Sequence, residues 1–440
     1  MTNGEKLNMK KIFLIITIIF FTVNIYSQQT NSDSLTIDKA VSLTLQNYPL
    51  IRQAKENVDV YNAKLDVQGS SYYPDVSAVA IYNRIGPVPS FDLPQGSFQL
   101  YPENNYDAHI EVKHNLYDFG RRNAEKQLLE SFKTSAIDNV QMVKTNLAFA
   151  TIRTYYSILF LHKSIAVIDT DIATLNQHID ITNKKIESGT ATEYDLLSTK
   201  VRLTDYKGRK IDLQNELKKQ KINLEHLTGL ANLGQSAITG NFTETIFDVN
   251  SDSLTEVAFA QRPELKLAID AEQSAHLKES LASLGSRPNV GLFLSYGVKN
   301  GYVPNIDAWH GNWVAGFQVN VPIFNGFRTK NQEEESRANT MVTETGTTNL
   351  KLKIKAEVEK AAEDFRSNLE QIKTAKEQIE FAKESLQKAK AQYASGVGTN
   401  LDLLDAETRL ADSRFLYLKE IYQNILNGYE LKKAVGDVVW

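Results

Sequence analysis

The chain has 440 residues, of which 42% are hydrophobic and 23% are charged. This balance excludes an intrinsically disordered protein and a polytopic helical membrane protein. The 49 Lys and Arg residues nearly offset the 53 Asp and Glu residues, for a net charge of −4, which argues against a nucleic-acid partner. The absence of cysteine excludes disulfides, thiolate metal sites and cysteine catalysis, and it suits an oxidising compartment.

The N-terminus predicts export. Lys10 and Lys11 precede an apolar run over residues 12–23, which is too short for a membrane-spanning helix of about 20 residues. We therefore interpret residues 1–27 as a signal peptide; an uncleaved N-terminal anchor is the alternative. No later stretch reaches about 18 consecutive apolar residues, so any further membrane crossing has to use β-strands.

The remainder of the chain contains an internal duplication. Four short segments recur in the same order at offsets between 206 and 219 positions, among them Leu-Tyr-Asp-Phe-Gly at 116–120 and Pro-Ile-Phe-Asn-Gly at 322–326. We predict a first structural repeat over residues 28–233, a linker at the equator of the molecule over residues 234–252, and a second repeat over residues 253–440.

Each repeat contains one very long helix. Residues 121–188 hold neither Gly nor Pro, and residues 327–395 hold only Gly346. Apolar residues recur every seven positions in both, which predicts coiled-coil packing. The rows are Ile158, Ile165, Ile172, Ile179 and Ile186 with Leu161, Ile168 and Leu175 in the first repeat, and Phe365, Ile372, Ile379, Leu386 and Tyr393 with Ala375, Ala382 and Ala389 in the second. A shorter helix follows each long one, so each repeat is predicted to form a coiled-coil hairpin.

Four strands are predicted, at about 74–86, 105–117, 288–299 and 312–324. Their apolar residues alternate with polar or small ones, which is typical of membrane β-strands. We expect one face of the sheet to meet lipid, and we assign to it Val290, Leu292, Leu294, Phe317 and Val319. A soluble antiparallel sheet is the alternative, but nothing else in the chain is a plausible cover for the apolar face.

Four strands are too few to close around an interior, since about eight is the usual lower limit. Open sheet edges are not tolerated in lipid. Several chains must therefore share one barrel, with 8, 12 or 16 strands for two, three or four copies.

At this point the sequence resembles the outer-membrane efflux protein family, the TolC-like channels. The resemblance covers nearly the whole mature chain. It rests on the duplication, on strand starts at Pro74 and Pro288, and on two segments with Asp-Leu-Leu, at 195–197 and 402–404, that each follow a glycine-containing turn. It implies a mainly α fold in which duplicated long coiled-coil hairpins form an α-barrel, while four strands per chain contribute to the shared 12-stranded β-barrel of a homotrimer.

The resemblance also implies a function. A TolC-like channel lies in the outer membrane, extends into the periplasm, and contacts outer-membrane lipid, a periplasmic adaptor protein and an inner-membrane pump. It is the passive exit duct of a tripartite efflux or type I secretion system.

The turns between the paired helices are the candidate docking sites. We assign the adaptor contacts to Gly189 and Thr190 in the first turn and to Gly396, Val397 and Gly398 in the second. Glycine as a helix C-cap is an alternative that is compatible with docking. Some family members carry a gating arginine at the position of Gly398, so the details of closure cannot be transferred to this chain.

Carboxylates follow both turns. Asp402 and Asp405 are three residues apart and lie on one helix face, and the family resemblance implies aspartate rings at these positions in a constricted periplasmic entrance. Asp195 is the counterpart in the first repeat, and we assign Tyr393 to the same gate. Crowded carboxylates draw in cations. Charge complementarity with a helix N-terminus is the alternative explanation.

Catalytic motifs are lacking. The sequence contains no HExxH, GxSxG or P-loop motif, and the one SxxK match, Ser385 to Lys388, falls in a coiled-coil row. We expect no enzyme activity, no cofactor and no metal. Two other classes stay open: a periplasmic coiled-coil adaptor, which has one hairpin per chain rather than two, and a secreted enzyme that uses the coiled coil as a stalk.

Overall fold

The computed structural model describes residues 34–94, 96–230, 238–247 and 251–437. The predicted signal peptide and parts of the predicted linker lie outside the described residues. In chain order the main elements are α1 (Ile37–Asn47), α2 (Pro49–Ser70), β1 (Asp75–Arg84), β2 (Ser90–Leu93), β3 (Gly96–Gln99), β4 (Asn104–Tyr117), α3 (Arg121–Glu187), α4 (Glu193–Thr228), α5 (Ser251–Gln261), α6 (Pro263–Ser283), β5 (Asn289–Lys299), β6 (His310–Asn320), α7 (Arg328–Ser395) and α8 (Asn400–Val435).

The long helices α3 and α7 dominate the fold. They have 67 and 68 residues, and a helix of this size is about 100 Å long. Each packs against the shorter helix that follows it, α3 against α4 and α7 against α8, and α3 also packs against α8. The two hairpins of the chain therefore lie side by side.

The predicted heptad rows are largely buried. In α7, Phe365 and Ile372 are almost inaccessible, and the small Ala375 is buried beside them. In α3 the row that contains Leu161, Ile168 and Leu175 is buried. The isoleucine row of α3 is different: Ile158 is buried, whereas Ile165 to Ile186 are only half-buried. The centre of the α3 interface is therefore rotated away from that row.

The linker segment 238–247 crosses the middle of the helical region. Ile238 forms a β-bridge with Leu35, and the buried Tyr155 hydroxyl donates to the carbonyl of Leu35 at 2.8 Å. Further along, Phe247 stacks on Phe365 with 4.2 Å between ring centroids. The linker thus packs against both repeats.

The four long strands form one antiparallel sheet in the order β1-β4-β5-β6. β4 pairs with β5, so the sheet is continuous across the two repeats. β6 ends at Asn320, four residues before the predicted end, because its partner β5 begins at Asn289, opposite Asn320. Pro322 follows, and it has no N–H to donate to a ladder. The short hairpin β2–β3 was not predicted.

The faces of the sheet differ in chemistry. The register aligns Val76, Val112, Leu294 and Ala315 in a row across all four strands on one face. The neighbouring row on the opposite face is Ser77, Glu111, Ser295 and Val314. The alternation therefore collects most of the apolar side chains on one face and most of the polar ones on the other. Among the described helices, none combines the length and the apolarity that a membrane crossing needs.

Candidate functional site at the hairpin tips

The turn of each hairpin uses glycine for a specific reason. Gly189 and Gly396 have φ of +73° and +80°, the left-handed conformation that glycine adopts without steric cost. An added Cβ at either would meet nothing within 4 Å, so the backbone conformation is the constraint there. Gly398 is limited by space instead, because a Cβ would lie 2.9 Å from Cβ of Gln392. This turn has no room for a side chain at 398.

Both shorter helices begin with a capping box. The Asp402 carboxylate accepts from the Thr399 hydroxyl at 2.6 Å and from the Thr399 amide at 2.9 Å, and Asp195 makes the same contacts with Thr192. The Thr399 side chain, followed by its amide, holds the pKa of Asp402 below its usual value. Asp402 is therefore ionised and also caps its helix.

Asp405 lies one turn further along α8. It is exposed, and its carboxylate is 3.0 Å from Nε of Arg409. Within one chain, then, Asp402 is hydrogen-bonded to the N-cap residue Thr399, and Asp405 is paired with Arg409. The contacts of Asp402 support the helix-terminus explanation for this residue. A ring of carboxylates needs further chains and stays a prediction.

Tyr393 joins the two hairpins. Its side chain is buried, and its hydroxyl lies 3.4 Å from the Thr182 hydroxyl on α3. The Lys185 ammonium lies 4.1 Å from the centroid of the Tyr393 ring and also donates to the Tyr393 carbonyl. This predicted gate residue of α7 is thus held by two residues of α3.

A row of polar residues on α3 faces the second hairpin. Ser164, Asp171, His178 and Lys185 recur every seven positions; the first three are buried and Lys185 is half-buried. We call these four residues the polar row. Asp171 lies 3.6 Å from Arg414 of α8, but burial, which outweighs the arginine, raises the pKa of Asp171 to about 6.

His178 is the best-connected member of the polar row. Its Nδ1 lies 3.0 Å from the Glu407 carboxylate, and its Nε2 lies 2.9 Å from Oδ1 of Asn400. The Asn400 amide nitrogen donates to the Asp195 carbonyl at 3.2 Å. We call His178, Asn400, Glu407 and the Asp195 carbonyl the tip junction, because together they connect α3, α4 and α8 close to both turns.

The polar row was not predicted, because only apolar residues were counted in the heptads. The same seven-residue spacing, applied to polar residues, identifies it in the sequence. Among the described residues, no group of three or more His, Asp or Glu side chains is arranged to hold a metal ion.

The five residues assigned to lipid share one face of the sheet. Val290 lies opposite Val319, Leu292 lies opposite Phe317, and Leu294 follows on the same face. Phe317, Val319 and Leu294 are exposed in the single chain, at 72%, 62% and 39%, whereas Val290 and Leu292 are half-buried.

Comparison with known proteins decides the family. The family described as outer membrane efflux protein matches residues 40–230 and 254–437, which is most of the chain. The chain belongs to the outer membrane efflux protein family. The two matched segments fall within the two predicted repeats.

Relatives and solved structures agree with this assignment. The toluene efflux pump outer membrane protein TtgC of Pseudomonas putida is 21% identical over 417 residues, which cover 91% of this chain and 82% of TtgC. The fold is similar to the Campylobacter jejuni CmeC outer membrane channel (TM-score 0.77, 16% identity, 91% of this chain and 85% of that one). It is also similar to the open state of the Neisseria gonorrhoeae MtrE outer membrane channel (TM-score 0.73, 16% identity, 91% and 89%).

This outer membrane efflux protein is thus the outer-membrane channel of a tripartite efflux system, and not a periplasmic adaptor. It lies in the outer membrane and extends into the periplasm. The predicted fold class, a TolC-like helical barrel with a β-barrel part, is confirmed.

Proposed function

We propose that three copies of this efflux protein form one passive duct, with a shared barrel of twelve strands above a tunnel of twelve helices. The observation that carries this proposal is the sheet. In the part of the chain that the structure describes, it has four strands with β1 and β6 as unpaired edges, and four strands cannot close a barrel. β1 and β6 run antiparallel to each other, so β6 of one copy can pair with β1 of the next in the same antiparallel pattern.

The apolar face supports a lipid environment for this sheet. Three of its five predicted lipid-facing members, Leu294, Phe317 and Val319, are exposed in the single chain, as expected for a face that lipid covers. Exposed aromatic residues lie at both ends of the strands: Tyr82, Tyr106, Trp309 and Trp313 at one end, and Tyr117, Phe119, Phe324 and Phe327 at the other. Two such belts match the interfaces of a membrane, where aromatic rings are favoured.

The hairpin tips form the periplasmic entrance and the docking surface in this proposal. Val397 projects from the second turn with 81% of its surface exposed, and the small residues around it leave the backbone accessible to an adaptor. Asp402 and Asp405 from each chain would surround the entrance and favour cations. Energy for export would come from an inner-membrane pump, because the channel contributes no catalysis.

Edge pairing is the direct test. The chain has no native cysteine. A double variant with one cysteine on β1 and one on β6, such as Val79→Cys with Val314→Cys, can therefore report strand pairing without crosslinks from other cysteines. We expect oxidation to give a covalent trimer that resists denaturation in SDS, and each single cysteine alone to give none. Crosslinked dimers with no trimer would overturn the proposal.

A further inference from the structure

We propose that a groove between the two hairpins binds organic cations, that is, small molecules with a positive charge and an apolar body. The groove lies between α3 and α4 of the first hairpin and α8 of the second, and its volume is about 530 Å³. This volume is in the usual range for small-molecule sites. We call it the inter-hairpin groove. It is formed within one chain, so the inference does not depend on the number of copies in the proposed channel.

Apolar side chains from all three helices line the inter-hairpin groove. Leu161 and Ile168 of α3 border it and are buried. Half-buried side chains complete this surface: Val167 of α3, Leu213 of α4 and Phe415 of α8. A ligand with an apolar body would remove part of this surface from water, which is favourable. The apolar lining therefore accounts for the body of the proposed ligand, but not for its charge.

The charge of the ligand follows from the acids that border the inter-hairpin groove. Its charged lining residues are Asp171, Asp212, Glu216 and Asp412, with Arg209 and Lys219 as the two bases. Each base is already paired with an acid, since Arg209 lies 3.7 Å from Asp412 and Lys219 lies 3.5 Å from Glu216. Asp212 has no ion pair or hydrogen bond in the part of the chain that the structure describes. The lining as a whole is therefore negative and complements a cation.

Asp171 is the buried acid of the inter-hairpin groove, with only 8% of its surface exposed. Its Oδ1 lies 3.6 Å from Arg414, which borders a separate, smaller cavity on α8. Its Oδ2 has no hydrogen-bond partner among the described residues. A buried acceptor without a donor is costly. An organic ammonium ion in the groove would supply this oxygen with a donor or a counter-charge, so we assign the charged end of the ligand to Asp171.

Two further observations at Asp171 agree with this assignment. The Tyr206 ring borders both the inter-hairpin groove and the smaller cavity beside Asp171, and an aromatic face attracts cations. Burial raises the pKa of Asp171 to about 6, so above that pH folding keeps an ionised carboxylate in an unfavourable place. Groups that lower stability in this way are often found at binding sites, and a bound cation would offset the cost.

Ethidium, an aromatic ion with a permanent positive charge, is the probe for the test. Its binding to the channel purified from the outer membrane is measured by fluorescence titration at about pH 8, where Asp171 is ionised. We expect Asp171→Asn to weaken binding about tenfold, because a charge-assisted contact is lost. The matched control is Asp169→Asn, which removes the same charge from α3 at a residue outside the groove that pairs with Lys210. Equal binding by the two variants would overturn the inference.

Two more measurements separate a charged site from a damaged fold and from general attraction to an acidic surface. Anilinonaphthalene sulfonate is an aromatic anion, and Asp171→Asn should bind it more tightly than wild type, because the charge that attracts a cation repels an anion. A variant that weakens both probes alike would overturn the inference. Val167→Trp keeps every charge but fills part of the inter-hairpin groove, so it should lose ethidium binding. Undiminished binding by this variant would place the site elsewhere and would also overturn the inference.

Discussion

The helical hairpins and the sheet differ in how their apolar side chains are shielded from water. In the hairpins, a single chain covers its own apolar residues, so that Phe365 is inaccessible and Ile372 is 1% exposed. In the sheet, Phe317 and Trp313 keep more than 70% of their surface, and neither edge has a partner strand among the residues that the structure describes. The structure of the hairpins is therefore specified within one chain, whereas in the proposed trimer the sheet depends on lipid and on neighbouring copies.

The largest expected effect tests this dependence directly. Leu294→Arg places a charge on the apolar face, which costs about 2–4 kcal/mol near the membrane midplane. In the proposed trimer this cost arises in each of the three chains. We expect little assembled trimer in the outer membrane, measured by heat-modifiable migration of the membrane fraction. The matched control is Ser295→Arg, on the opposite face of the same strand, which should assemble normally. Equal assembly of the two variants would show that the apolar face does not meet lipid.

The next prediction concerns stability within the hairpins. The pKa of Asp171 is raised by burial to about 6 from 3.8, so folding favours its protonated form. The favourable contribution of protonated Asp171 to the free energy of unfolding is complete below the pKa that Asp171 has in the unfolded chain, and it is lost as pH rises through about 6. Asp171→Asn should therefore stabilise the helical region by about 3 kcal/mol at pH 8, and the gain should vanish as pH falls toward about 4.

Urea unfolding followed by circular dichroism measures this difference. Asp412→Asn is the matched control, because Asp171 and Asp412 line one groove between α3, α4 and α8, but the Asp412 side chain is 64% exposed. We expect a change below about 1 kcal/mol for the control at either pH. A gain from Asp171→Asn that did not depend on pH would contradict the burial explanation.

A smaller structural effect with a clear functional one is expected at the turn. Val397→Asp replaces an apolar side chain that is 81% exposed, so trimer level and stability should stay within about 0.5 kcal/mol of wild type. Export should fall, because the docking surface acquires a charge. The measurement is drug resistance in cells that depend on this channel, together with crosslinking to the adaptor. Unimpaired crosslinking would place the docking surface elsewhere.

The smallest expected effect separates the two explanations of the acids after the second turn. Asp402→Asn keeps an acceptor for the Thr399 cap, and with Asp405→Asn it removes both charges from each chain. If these acids surround the entrance, the double variant should lose cation selectivity and block by multivalent cations in planar bilayers. Unchanged reversal potential and unchanged block would leave only the capping role that the structure shows.

Local patterns in the sequence predict the elements well but not their partners. Seven-residue spacing locates α3 and α7, and alternation locates the faces of β5 and β6, because both patterns are set by neighbours on the same element. The contact of His178 with Asn400 spans 222 positions. Periodicity shows that a face is buried, not which helix covers it, so a polar row that matches another hairpin was overlooked.

The two Asp-Leu-Leu segments show the same limit. Leu197 and Leu404 occupy equivalent positions in the repeats, but Leu197 is 57% exposed and Leu404 is 4% exposed. Leu404 is buried because it packs with Leu175 and Leu203 of the first hairpin. Identical motifs thus have different environments, since only one of them lies between the hairpins.

The pairing of β4 with β5 has a consequence for the order of folding. Asn300, at the end of β5, accepts from the amide of Tyr106 at 2.8 Å across 194 positions of sequence, and the long helices α3 and α4 lie between the two strands. Contacts between residues so far apart form slowly, because closing a long loop costs conformational entropy before the contacts that offset this cost can form. Helical hairpins rely on local contacts and form quickly. The chain should therefore reach the membrane with its helices already structured and β4 not yet paired with β5, so that the continuous apolar sheet is completed only where lipid and other copies of the chain are present.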